Sequence, residues 1–203
     1  MKLLLFSISF LCAMGTNAQS KKNYVLEING DSIDVALGES FSFKTKDGKT
    51  LNGKLKQREI LHYGDEMLSF QYPSSFTVNA KKIDDVEQIL CISGSGNSLL
   101  IQKYKGVNPE NMKDFMLGEI TQESKDAGYK ETLEDVSKTL NSGRVIKGKQ
   151  STLTLDDEVN MYSVYPVKIR SGGFIVVLII VDPSDEKEMK AFDIFWQSLE
   201  TKN

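Results

Sequence analysis

The sequence predicts a layered α+β domain: an antiparallel β-sheet packed with two main helices and preceded by N-terminal β-hairpins. Three observations lead there. Turn signals punctuate the chain at short intervals between segments of alternating polarity. Two segments, one opening at Asn108-Pro109 and one following Asp182-Pro183, repeat their apolar residues at helical spacing. A strand-length run, Phe174–Val181 (FIVVLIIV), is apolar throughout, and in an antiparallel sheet such a strand needs cover on both faces.

The elements follow in order. Lys2, the apolar run Leu3–Met14 and the small residues Thr16-Asn17-Ala18 read as a secretory signal peptide cleaved after Ala18, so residues 1–18 stand apart from the fold. The run is shorter than the about 20 residues a membrane span requires. The expected product is exported, periplasmic or extracellular, and not membrane-integral. Cys12 raises a lipoprotein alternative, but Leu11 stands where a lipobox takes Gly, Ala or Ser, and Cys12 lies inside the apolar run.

Residues 19–60 form the hairpin extension. Tyr24–Ile28 and Ile33–Leu37 flank Asn29-Gly30, and Phe41–Thr45 and Thr50–Lys56 flank Asp47-Gly48 in the same manner. Residues 61–203 form the main α+β domain. There Met67–Tyr72 is a strand ended by Pro73-Ser74-Ser75 and resumed by Phe76–Ala80, while Val86–Ser93 and Ser98–Tyr104 pair across Gly94–Asn97. Asn108 is a good N-cap with proline after it, and Met112, Phe115, Met116 and Ile120 mark one apolar helix face ending near Gly128. Leu133–Leu140 is open between a short helix and a strand. Arg144–Leu155, Val159–Arg170 and Phe174–Val181 form a meander, with a bulge or an edge expected at Pro166, which cannot donate to a ladder. Asp182-Pro183 caps a last helix whose face is Met189, Phe192, Phe195, Trp196 and Leu199. The two helices cover both faces of the sheet, or share one and leave the other to the hairpins.

The segments LSFQYPSSFTV, LLIQKYKG, GYKETLEDV, RVIKGKQSTL, GGFIVVLIIVD and FDIFWQSLE, in that order, resemble the PsbP-like fold and its DcrB-type bacterial members over about residues 67–200. The resemblance implies a layered sandwich and a non-enzymatic binder, chaperone or assembly factor. It implies no catalytic residue. The Tyr24–Lys56 hairpins lie outside the pattern.

Composition narrows the chemistry. The chain holds 25 basic and 28 acidic residues, interspersed rather than blocked, and loss of Lys2 with the leader moves the formal charge of −3 one unit further negative. Charge and export together argue against a nucleic-acid partner. Of two cysteines, Cys91 alone remains after processing, set in the apolar VEQILCIS as a small buried hydrophobe, so no intramolecular disulfide is expected. With one histidine, His62, placed in a connection between β segments, neither a zinc ligand set nor a Ser-His-Asp triad is expected. Gly94-Ser95-Gly96 lacks the third glycine of a dinucleotide fingerprint and reads as a hairpin turn. Asp156-Asp157-Glu158 reads as an acidic turn without the spacing of a calcium loop. No catalytic, metal or cofactor residue is therefore assigned.

Aromatic side chains are the remaining surface signal. Tyr162 and Tyr165 point to opposite faces of one strand, which sets one of them outside the core. The candidate interaction surface is the rim formed by Tyr63, Tyr72, Pro73 and Tyr104, tyrosine being favoured at recognition surfaces. The expected function is an exported binding or assembly protein whose partner is another envelope or extracellular protein. A periplasmic immunity protein that neutralises a delivered toxin is the alternative, and a secreted hydrolase using carboxylates is a further one.

Overall fold

The computed structural model describes residues 22–202 apart from Asp85, Ser171 and Asp182. The signal peptide, its cleavage point and Cys12 lie outside the described residues. The chain divides into two compact units after Gln57.

The N-terminal unit is two hairpins. β1 (Tyr24–Ile28) pairs with β2 (Asp31–Val35), and β3 (Ser40–Lys44) with β4 (Thr50–Lys54). Asn29 and Gly30 carry φ of 52° and 81°, the two left-handed positions that a type I′ turn requires. The second turn is longer than the Asp47-Gly48 signal implied. It spans Thr45–Lys49, because the Thr45 hydroxyl accepts from the Lys49 amide and bonds Asp47, closing a wider loop. Lys46 reaches Asp31 at 2.7 Å, and a parallel bridge joins Leu37 to Leu55, so the hairpins hold each other.

The larger unit is built around a seven-stranded antiparallel sheet. Its strands are β7 (Thr77–Ile83), β8 (Val86–Ile92), β9 (Ser98–Lys105), β10 (Lys130–Thr139), β11 (Val145–Leu155), β12 (Glu158–Ile169) and β13 (Gly172–Ile180). The order across the sheet is β10-β11-β12-β13-β9-β8-β7. The all-apolar strand β13 therefore sits in the middle, where the sequence required it. Phe174, Val176, Leu178 and Ile180 enter one hydrophobic cluster, and Ile175, Val177 and Ile179 enter the other.

The first cluster lies between the sheet and a second layer. That layer consists of α2 (Glu186–Ser198) and a three-stranded sheet of β5 (Ile60–Gly64), β6 (Leu68–Pro73) and β14 (Glu200–Thr201). Phe192, Phe195, Trp196 and Leu199 form the buried stripe of this helix region, and Phe195 meets Phe70 edge-on at 5.1 Å. Tyr165 meets Trp196 in the same way at 4.8 Å and lies over Gly148, where an added Cβ would stand 2.5 Å from the ring. The second cluster lies under α1 (Lys113–Asp126) and the 3-10 turn Pro109–Met112 that precedes it, so the two helices occupy opposite faces.

Several expectations are corrected. The segments before and after Pro73-Ser74-Ser75 are not one interrupted strand: β6 belongs to the small sheet and β7 to the edge of the large one. Phe115 is 64 % exposed, and the inward face of α1 is instead Met116, Leu117, Ile120 and Thr121, continued by Met112 of the 3-10 turn. The ambiguous segment is a strand, β10, paired with β11 along its whole length. The cap of α2 is Asp185, whose carboxylate accepts from the Lys187 and Glu188 amides. Pro166 causes no bulge against β13, where it stands opposite Ile175. The ladder to β11 stops at the Lys149–Val164 pair, so Pro166 sits at a local edge, and Arg144 donates to the Lys168 carbonyl at 2.6 Å just beyond it. Tyr162 and Tyr165 do face opposite ways, but both pack: Tyr162 lies half-buried against the second cluster.

Candidate functional site

Four places in the larger unit gather chemistry-bearing side chains. The first is inside the sandwich. Lys103 shares its sheet face with Leu99 and Ile101, and at 4 % exposure it is the one buried charged residue among those described. Its ammonium lies 2.6 Å from Asp65 Oδ2 and 2.9 Å from Glu87 Oε1. Asp65 stands in the β5–β6 turn, where its other oxygen accepts the Met67 and Leu68 amides at 2.7 and 3.1 Å. Burial alone would raise the Asp65 carboxyl, but Lys103 and the two amides outweigh it and hold it below the ordinary carboxylate value. Burial, and next the neighbouring Asp65, push the Tyr63 phenol up to about 12. The group ties the small sheet to the large one across the core.

The second is Glu188 in the first turns of α2. It accepts from Ser93 at 2.8 Å, from Asn97 at 2.6 Å and from Ser95. Asn97, fully buried, also accepts the Val181 amide at 2.8 Å. Gly94-Ser95-Gly96 is thus a hairpin turn fastened to a helix.

The third is a polar cleft of about 450 Å³ on the outer side of the small sheet, with His62, Gln71, Asn141, Gln197, Ser198 and Glu200 in its walls. His62 lies in strand β5, not in a connection, and it is exposed because Leu61 and Tyr63 take the inward positions. The Ser198 hydroxyl donates to the Ile194 carbonyl at 2.6 Å and accepts the Gln71 amide at 2.7 Å. Among the described residues the cleft has one carboxylate, Glu200, and its second serine, Ser69, donates to that group at 3.4 Å. Such walls hydrogen-bond a polar group.

The four aromatic-rim residues are not brought together. Tyr63 stacks on Phe70 at 5.2 Å, Tyr72 lies 6.1 Å from the same ring, and Pro73 is half-buried beside it. Tyr104 is on the other face of the sheet, buried in the second cluster and donating to Gln102 at 2.6 Å. Cys91 is buried in the first cluster, where desolvation pushes its thiol up to about 12.

The fourth place is an outward apolar area beside α1. α1 packs over β11 and β12, and the 3-10 turn over β12 and β13. Beyond them the same sheet face continues across β13, β9, β8 and β7. The registers set two rows side by side: Ile179, Ser98, Ile92, Thr77 and Val177, Leu100, Leu90, Asn79. Ile179 and Leu100 are half-buried, while Leu90 and Ile92 are 37 % and 39 % exposed. The sequence carried a trace of this: ILCIS is apolar at consecutive positions, so β8 has apolar side chains on both faces.

No family model matches this chain. No curated protein matches it either. Among solved structures it is similar to the solution structure of cyanobacterial PsbP (CyanoP) from Synechocystis sp. PCC 6803, with a TM-score of 0.48 and 13 % identity over 70 % of this chain and 92 % of that one. That identity is too low for the role of the cyanobacterial protein to carry over. No helix among the described residues is long and apolar enough to cross a membrane.

Proposed function

We propose that this is an exported, non-enzymatic binding or assembly protein of PsbP-like, DcrB-type fold that acts through surface contacts, its partner being another envelope or extracellular protein. The observation that supports this is the apolar sheet face beyond α1, since contiguous exposed apolar surface on a folded chain marks contact sites. The reactive side chains point the same way by their occupation. Cys91 fills the core, Lys103 neutralises Asp65 and Glu87, and Glu188 and Ser198 hold turns and strands in place. Tyr63, Tyr72 and Pro73 form a second, smaller contact area in this reading, to which Tyr104 contributes no exposed surface.

The immunity role is a narrower form of the same proposal. The solvent side of α1 carries Asp114, Glu119, Glu123 and Asp126, which suits a basic toxin face. A hydrolase would need two carboxylates in one pocket, and the polar cleft offers Glu200. The test is a pull-down of tagged protein from envelope fractions, beside a panel of hydrolase substrates. A specific partner with no turnover supports the proposal; turnover with no partner reverses it. Mass spectrometry of the exported protein is expected to find Gln19 at the N-terminus.

A further inference from the structure

Resting on the reading of this chain as a binding module, we propose that the groove between α1 and the outward β13–β9–β8 face seats an amphipathic helix of a partner protein, with basic residues flanking its apolar stripe. Three observations set the occupant. The first is the floor. Leu100 stands beside Leu90 by register, with Ile92 two residues further along β8 and Ile179 diagonal to Leu100 across buried Ser98, and α1 already covers the adjoining β11–β12 part of this face with one helix. Val177 and Ser98 are buried, so the open part of the strip runs from Leu100 on β9 to β7, two strand spacings or about 10 Å wide. One helix, about 10–12 Å across, fills it.

The second is the wall. Lys125 pairs with Glu131 and Asp114 with Lys149, which fixes the side of α1 that looks toward β10 and β11. Met112, Met116, Glu119 and Glu123 recur at helical spacing on the opposite side, toward β13. Met112 and Met116 pack against the second cluster, and methionine adapts to varied apolar partners. Glu119 and Glu123 are exposed and form no ion pair among the described residues. The far border, β7, offers Thr77, Asn79 and Lys81. A seated helix therefore meets two carboxylates along α1, and Lys or Arg on that flank answers them.

The third is size and charge together. The strip covers about 200 Å², against roughly 800 Å² per partner for a stable two-protein interface. Two copies meeting through it would also bring their Glu119–Glu123 walls into one interface, where like charges repel. A single helix that is basic along one side fits both limits.

The test uses the purified protein and two fluorescent synthetic peptides of about 18 residues. Both carry the same leucine stripe, one flanked by Lys and Arg and the other by Glu. We expect the basic peptide to bind in the range of tens of micromolar and at least about ten-fold tighter than the acidic one, with methyl NMR shifts concentrated at Leu90, Ile92, Leu100 and Ile179. L90Q/I92Q is expected to weaken it about ten-fold, and E119K/E123K, at exposed helix positions, to reverse the charge preference with the melting curve in place. Equal binding of both peptides, shifts centred elsewhere, no binding up to about 1 mM, or a dimer in sedimentation that L90Q/I92Q abolishes would each overturn the proposal. An envelope partner captured equally by wild type and L90Q/I92Q would also sink the groove while sparing the binding-protein reading. Capture of no partner would sink that reading itself.

Discussion

Replacing Lys103 by methionine keeps most of the buried stem and removes the charge that holds Asp65. The ammonium is 4 % exposed, 2.6 Å from Asp65 and 2.9 Å from Glu87, and apart from it Asp65 Oδ2 has no hydrogen-bond partner. Breaking a buried pair by deleting one member costs about 3–5 kcal/mol. The carboxylates here are less enclosed than the lysine, with side-chain exposures of 19 % and 40 %, so solvent screens part of the loss. We therefore expect roughly 2–3 kcal/mol, a fall in Tm of about 5–10 °C for a domain of this size. D65N/K103M removes both charges and is expected to recover much of the loss, because a neutral pair leaves no stranded ion. Urea unfolding of wild type, K103M, D65N and D65N/K103M gives the coupling directly, expected near 2 kcal/mol. A K103M loss below about 0.5 kcal/mol, or strictly additive effects, would refute the assignment. The pH dependence supplies a second readout. The folded-state pKa of Asp65 lies below its ordinary 3.8, so its contribution is complete above about pH 5 and disappears as pH falls through the folded value. Wild type is thus expected to lose stability in acid more steeply than D65N.

Other outcomes follow from the packing. Leu117→Ala on the inner side of α1 is expected to cost about 2–4 kcal/mol in urea unfolding, whereas Phe115→Ala on its outer side stays within about 0.5 kcal/mol; equal losses would mean that the helix face is misplaced. Glu188→Ala removes the carboxylate that accepts from Ser93, Ser95 and buried Asn97 and is expected to lower stability by about 1–3 kcal/mol. The Cys91 thiol, pushed up from 9.0 to about 12, is expected to resist iodoacetamide at pH 8 in the folded protein and to react fully in denaturant. Because the unfolded thiol ionises first, the share of stability that Cys91 contributes is present below pH 9 and fades as pH rises toward 12.

Most of the fold was legible because its signals are local. Asn29-Gly30 marks the first turn, Asn108-Pro109 the start of the first helical segment, and the apolar alternation of β12 and β13 their meander. The errors arose where a local signal was ambiguous. Phe115 lies at helical spacing with Met112 and Met116, yet the stripe that meets the sheet is centred nearer Leu117 and Thr121. Met67–Ala80 reads as one interrupted strand because a sequence does not say which sheet each half joins. The proposed contact surface was barely legible at all. Tyr63, Tyr72 and Pro73 belong to the small sheet and Tyr104 to the far face of the large one, and Glu119 and Glu123 look like any solvated helix charge.

By itself the sequence determined that this chain folds as an antiparallel sheet with two helices, that β13 is interior, and that the one cysteine after Ala18 lies in an apolar strand. Those properties depend on the period of the side chains and on turn chemistry, which are written residue by residue. Tertiary structure alone decided that the helices take opposite faces, that Lys103 lies inside and meets a carboxylate 38 positions earlier, Asp65. It also decided that Leu90 and Ile92, on the β8 side of one sheet face, stay exposed beyond α1. Each of these depends on which distant segments become neighbours, and a burial pattern fixes how much surface must be covered without fixing by what.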